Sequence, residues 1–218
     1  MPALFVFDLD GTLVDSSQDL ADAGNALLDA YGHPALPKDQ VVAMVGDGAR
    51  ELVRRLLTAA DITAPLDEAL AHFLECYDTR LLATTRPYDG VHTTLEALLP
   101  LARLAVLTNK PGDATTRLLE GLELARYFSD VIGGDSPYGR KPDPSGLFAL
   151  LARADVANEN ALMVGDSMND LLVAEAAMVP MCFARYGFGY LQVREDDRLR
   201  AAHTIDAPEE LTELVPLA

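Results

Sequence analysis

The sequence predicts an α/β protein, a doubly wound parallel sheet with a helical bundle inserted after the first strand. Three observations predict it. Apolar runs without polar alternation recur along the chain and end in Asp, Gly or Thr. Single helical patterns lie between them. One connection is far longer than a crossover helix needs.

The first run, Ala3-Leu4-Phe5-Val6-Phe7, leads into Asp8-Leu9-Asp10-Gly11-Thr12. An unbroken run of this kind suits a strand buried on both faces, and Gly11 lets the backbone turn at its end. Four more runs read as strands: Leu104 to Leu107, Val131-Ile132, Ala161 to Val164, and Pro180 to Phe183. Helical patterns cover Pro111 to Leu122, Pro144 to Ala154 and Asp170 to Met178. The gaps from Asn109 to Val131, Gly134 to Leu162 and Asp166 to Met181 hold 21, 27 and 14 residues, each enough for one crossover helix.

Between Asp15 and Leu104 lie 88 residues, too many for one crossover. Three amphipathic stripes fill most of that length. They are Leu20, Ala23, Leu27 and Tyr31; Leu52, Val53, Leu56 and Leu57; and Leu70, Phe73, Leu74, Tyr77 and Leu81. Ser16 reads as the N-cap of the first, with Asp19 three residues on. The expected division is a core of residues 1–15 and 83–218 and a helical insertion of residues 16–82. The helix near Val91 to Leu99 returns the chain to the sheet.

Composition narrows the function. Lys plus Arg is 17 and Asp plus Glu is 34, a formal charge of −17. That balance argues against nucleic acid and anionic membrane as partners. No apolar stretch reaches a membrane span, and the N-terminal residues do not read as a signal peptide. Cys76 and Cys182 match no metal or redox spacing, and with scattered histidines they predict a cytoplasmic protein with reduced thiols. A monomer and a homodimer are both compatible with the composition.

The strand ends carry Asp8, Asp10, Thr108, Asn109, Asp166 and Asp170, with Lys141 on the loop Gly139-Arg140-Lys141-Pro142-Asp143-Pro144. A parallel sheet gathers such residues at its carboxyl edge, where open α/β sheets bind ligands. Four carboxylates together imply a divalent cation, and oxygen ligands favour Mg²⁺. The chain has 14 arginines but only three lysines, and Lys110 and Lys141 both follow strand ends. A compact ammonium in each place reads either as a point-charge partner for phosphate or as chance placement.

These segments resemble the four motifs of the haloacid dehalogenase superfamily. They are Asp8-x-Asp10-Gly11-Thr12-Leu13-Val14-Asp15-Ser16, Thr108-Asn109, Lys141-Pro142, and Gly165-Asp166-Ser167-x-x-Asp170. All four occur in order around an inserted helical cap, and the likeness covers essentially the whole chain. Within the superfamily the chain looks most similar to phosphoglycolate phosphatases, through Thr108-Asn109-Lys110-Pro111, Ile132-Gly133-Gly134-Asp135, Lys141-Pro142-Asp143-Pro144, Tyr186 to Tyr190 and Val45-Gly46-Asp47-Gly48-Ala49.

The resemblance implies a Rossmann-like core and hydrolysis of a small phosphate monoester, 2-phosphoglycolate first among candidates. It implies Asp8 as nucleophile and Asp10 as acid and base. Mg²⁺ would be held by Asp8, the Asp10 carbonyl and Asp166, with Asp170 supporting that shell. Thr108 and Lys141 would meet the phosphoryl oxygens, with Gly11, Thr12 and Asn109 as further substrate contacts. Asp10 sets the pattern apart from the dehalogenases, whose reaction needs no acid. Sugar-phosphate or amino-sugar-phosphate phosphatase, pyrophosphatase, phosphoglucomutase-like transferase and a non-catalytic phosphoryl-binding module remain open alternatives. The Gly46-Asp47-Gly48 loop and Arg50 have two readings each: a lid with a partner for a substrate carboxylate, or a helix turn with a solvated basic face. The glycine-rich segment Tyr186 to Tyr190 reads as a surface loop or a contact with the cap.

Overall fold

The computed structural model describes residues 2–215. In chain order the strands and helices are β1 (Leu4–Phe7), β2 (Val14–Asp15), α1 (Ser17–Ala30), α2 (Lys38–Val42), α3 (Ala49–Ala59), α4 (Leu66–Asp78), β3 (Arg86–Pro87), α5 (Val91–Leu98), β4 (Arg103–Leu107) and α6 (Gly112–Gly121). They continue as β5 (Asp130–Ile132), α7 (Ser145–Ala154), β6 (Ala161–Gly165), α8 (Met168–Ala176), β7 (Met181–Ala184), α9 (Glu195–Arg198) and β8 (His203–Ile205).

Six strands form one parallel sheet in the order β5-β4-β1-β6-β7-β8. β1 is central because its run is apolar on both faces. Phe5 and Phe7 enter one core, and Leu4 and Val6 the core on the opposite face. The chain moves outward from β1 through β4 to β5, then returns to β6 on β1's other side. The strand order therefore reverses at β1, and the carboxyl ends of β4, β1 and β6 meet at that switch point.

Helices α1 to α4 pack chiefly on one another, α1 against α4 most extensively. β2 and β3, antiparallel neighbours through Asp15 and Arg86, are where the chain leaves for these helices and comes back. Neither was visible as a strand in the sequence, because two residues show no periodicity. β8 was missed for a related reason. It is a three-residue edge strand with only Ile205 buried, so it lacks an apolar run.

The start of α1 differs from expectation. Ser16 occupies the N-cap position, but its side chain accepts no N–H from the helix, and its hydroxyl donates to Asp10 Oδ1 at 2.5 Å. Asp15 does the capping instead, accepting from the Ser17 backbone N–H at 3.0 Å. Asp19 turns away from the N-cap altogether. Buried in the molecule, it accepts the backbone N–H and hydroxyl of both Thr84 and Thr85 as the chain returns. Burial opposes its charge, yet these donors outweigh burial and hold its carboxyl below the usual range.

Asp19→Asn should therefore destabilise the fold by about 1–3 kcal/mol at neutral pH, read by chemical unfolding. The folded carboxyl binds its proton less tightly than the unfolded one. Its contribution is thus present above the unfolded pKa and is lost as pH falls through the folded value, so the two unfolding curves should converge in acid.

Candidate active site

The turn after β1 is built by its own backbone. Leu13 and Val14 donate to the Leu9 carbonyl at 2.9 and 3.1 Å, and Gly11 donates to that of Val14 at 2.9 Å. Gly11 has φ +87°, and a Cβ there would lie 2.0 Å from Asp166 Oδ2. Asp8, at the head of this turn, is buried and anchored by its N–H to the Val164 carbonyl at 2.9 Å.

Lys141 enters from the loop before α7. Its ammonium lies 2.7 Å from Asp8 Oδ1 and 2.6 Å from Asp170 Oδ1. Asn109, just past β4, sets that lysine in place. Its amide accepts from the Lys141 N–H at 2.8 Å and donates to the Lys141 carbonyl at 3.0 Å. The same amide donates to the Gly46 carbonyl of the inserted helices at 2.9 Å. Asn169 donates to Gly46 O at 3.2 Å and to Asp47 at 2.7 Å. The Gly46-Asp47-Gly48 loop is thereby held down over the carboxyl edge.

Asp8, Asp166 and Asp170 offer carboxylate oxygens within 4.8 Å of one another, all buried. Asp170 also closes a capping box on α8, accepting the Ser167 N–H at 2.9 Å and hydroxyl at 2.7 Å. Burial, opposed by Lys141 and aided by Asp170, pushes Asp8 up to about 6. For Lys141, burial opposes the charge, but Asp170 and Asp8 hold it at about 12. Asp166 rises well above the usual carboxylate range, from burial first and then the charges of Asp170 and Asp8. Its one hydrogen-bond donor among the described residues is the Gly189 N–H at 2.7 Å. Three buried carboxylates with one ammonium between them leave negative charge uncompensated. An all-oxygen donor set of that kind fits a hard divalent cation.

Asp10 belongs to a separate pair. Both of its oxygens accept from Lys110 Nζ, at 3.0 and 2.9 Å, and Lys110 also donates to the Tyr77 hydroxyl of α4 at 2.7 Å. Lys110 is therefore engaged with a carboxylate, as Lys141 is, and it lines the cavity. Thr108 is buried, and its hydroxyl accepts the Lys110 N–H at 3.2 Å. Asp8, Asp10, Thr108, Asn109, Lys110 and Asp166 all line one cavity of about 260 Å³, roofed by apolar side chains of the insertion such as Leu52, Phe73 and Leu74.

Other expected contacts lie elsewhere. Arg50 is exposed on α3 and paired with Asp67 at 2.5 Å, outside the cavity lining. Its place on α3 turns it outward, while Arg55 on the same helix binds Asp47 and the Met44 carbonyl. Thr12 is buried, its hydroxyl has no partner among the described residues, and it does not line the cavity. Its carbonyl accepts from Tyr186 at 3.0 Å. The segment from Tyr186 to Tyr190 is not a free surface loop, and its Phe188 and Gly189 line the same cavity as the inserted helices. Gly187 and Gly189 wrap Asp166, and a Cβ at Gly187 would fall 2.4 Å from Asp166 Cβ.

The residues missed in the sequence were hidden by ordinary roles. Tyr77 belongs to an apolar helical stripe, Ser16 to a cap pattern, and Asn169 to an unspecified position of a motif. The glycines of Tyr186 to Tyr190 were the available signal for close approach.

Asp166→Asn should make the metal-free protein more stable at pH 8, by about 1–3 kcal/mol, because it removes a charge that burial penalises. Wild-type Asp166 has its pKa raised by folding, so its cost is present above the folded value and disappears as pH falls below it. Thermal unfolding in a chelator at two pH values checks both the gain and its decay.

A family model for haloacid dehalogenase-like hydrolases matches residues 5–184. Phosphoglycolate phosphatase 1 of Pseudomonas aeruginosa is 41% identical over 197 residues, spanning 87% of this chain and 72% of its own. The phosphoglycolate phosphatase of Rhodospirillum rubrum is 44% identical over 197 residues, spanning 86% and 81%. The crystal structure of a predicted phosphoglycolate phosphatase from Haemophilus somnus superposes with a TM-score of 0.92 at 29% identity, covering 99% of this chain and 98% of that one.

Proposed function

We propose that this chain, which belongs to the haloacid dehalogenase-like hydrolase family, is a Mg²⁺-dependent phosphatase that converts 2-phosphoglycolate to glycolate. The observation that carries the reaction type is the pair Asp8 and Asp10 on one cavity, each beside its own ammonium. The relatives near 40% identity carry the choice of substrate.

Asp8 attacks phosphorus, forming an Asp8 O–P bond as the ester P–O bond breaks. Asp10 gives its proton to the departing alkoxide, which leaves as the glycolate hydroxyl. In the second step Asp10 takes a proton from water as the water oxygen attacks phosphorus. Inorganic phosphate departs, and Asp8 returns as a carboxylate. Lys141 keeps Asp8 from bearing its charge alone and would meet the phosphoryl oxygens, and Thr108 lines the same cavity as Asp8.

Mg²⁺, held by Asp8, the Asp10 carbonyl and Asp166 with Asp170 in support, would neutralise phosphoryl charge during transfer. The cavity of about 260 Å³ suits a small ester. The loop held by Asn109 and Asn169 keeps bulk water out while the phosphoenzyme exists. The net charge of −17 repels an anionic substrate at long range, so binding depends on these local positive charges. No helix among the described residues is long and apolar enough to cross a membrane.

Initial rates on 2-phosphoglycolate, sugar phosphates and pyrophosphate, with Mg²⁺ and with a chelator, test the reading. Multiple turnovers of phosphate release are expected, fastest on 2-phosphoglycolate and abolished by the chelator. Saturable binding without release would leave a phosphoryl-binding module. Asp8→Asn should lower kcat by at least about a thousandfold with folding retained. Acid-quenched wild-type enzyme should carry phosphorus on Asp8, and a variant with normal turnover would remove Asp8 as nucleophile.

A further inference from the structure

The described residues include two buried lysines, and the reaction above uses only Lys141. The side chain of Lys110 is 3% exposed, and burying an ammonium costs several kcal/mol unless its partners compensate. An apolar side chain would fill the place more cheaply. The partners are specific. Two contacts go to the Asp10 oxygens, and the third goes to the Tyr77 hydroxyl. The ammonium also lies 4.6 Å from the Tyr77 ring centre. Tyr77 is on α4, its ring stacked on Phe73 at 6.0 Å. Asp10 is thus held by the turn after β1, by the Ser16 hydroxyl on one oxygen, by Lys110 after β4, and through Lys110 by the inserted helices.

We infer that Lys110 is a positioning residue for Asp10, and that Tyr77 makes this positioning depend on the inserted helices being seated against the sheet. The inference rests on the phosphatase reading. An oxygen of Asp10 that carries the proton no longer accepts from the ammonium, so Lys110 retains the other oxygen. The protonated oxygen is thereby turned toward the ester. Tyr77 fixes the ammonium, so that it does not swing with the carboxylate it holds. When the helices lift away, that third contact is lost and Asp10 loses the part of its aim that reaches it through Lys110. Acid delivery is then tied to closure over the substrate, without any side chain of the insertion touching the reacting atoms.

Leaving-group dependence separates this role from a structural one. The measurement is kcat/KM, which reports the step that forms the phosphoenzyme, for 2-phosphoglycolate and for p-nitrophenyl phosphate with Mg²⁺. The alkoxide needs a proton to leave, whereas the nitrophenolate leaves without one. Lys110→Met should lose about 100-fold or more on 2-phosphoglycolate and less than about fivefold on the nitrophenyl ester. Tyr77→Phe keeps the ring on Phe73 and should show the same asymmetry at about five- to tenfold, which keeps the test available if Lys110→Met does not fold.

Equal losses on both esters, or no loss on 2-phosphoglycolate, would overturn the positioning role and leave the phosphatase reading intact. A wild-type enzyme that releases phosphate from neither ester would bring down both.

Discussion

Lys141 is the contact on which the site depends. Its ammonium is shared by Asp8 and Asp170 at under 3 Å each, inside a cluster whose third carboxylate, Asp166, it balances only in part. Without that charge, carboxylates on two neighbouring strand ends would face one another across a dry gap, each costing several kcal/mol. The fold accepts the expense because β1, β4 and β6 end together at the reversal of strand order. Asn109 then fixes the lysine's backbone from both sides of its peptide. The electrostatics and the sheet topology are therefore one constraint: the strands bring the acids together, and the loop after β5 supplies the base that lets them stay.

The site is divided by charge into two halves. Asp8 and Lys141 form one pair beside the acidic cluster, and Asp10 and Lys110 form the other beneath the inserted helices. Asp8 faces two further carboxylates and Lys141, whereas Asp10 faces Lys110 and the inserted helices, so two carboxylates two residues apart meet different surroundings. The sheet supplies one environment and the insertion the other.

Much of this was legible in the sequence because buried parallel strands write themselves as apolar runs. The runs at Ala3 to Phe7, Leu104 to Leu107 and Ala161 to Val164 lie within a residue of the strands found. The 88-residue gap likewise announced an insertion. What stayed hidden was settled by side-chain direction. Nothing in the spacing shows that Arg50 faces Asp67 while Tyr77, within an apolar stripe, brings its hydroxyl to Lys110. Ser16 fitted a capping pattern, yet its oxygen accepts nothing from the helix and its hydroxyl donates to Asp10. Edge elements such as β2, β3 and β8 are defined by partners far along the chain, and local pattern cannot register them.

The antiparallel pairing of Asp15 with Arg86 has an evolutionary consequence. Departure and return of the inserted helices share adjacent backbone, about 5 Å apart as paired strands are. Any substructure whose ends adjoin at that spacing can be exchanged there without shifting the strands beneath. The lineage can thus diversify what is admitted to the chamber while the hydrolytic machinery is inherited unchanged.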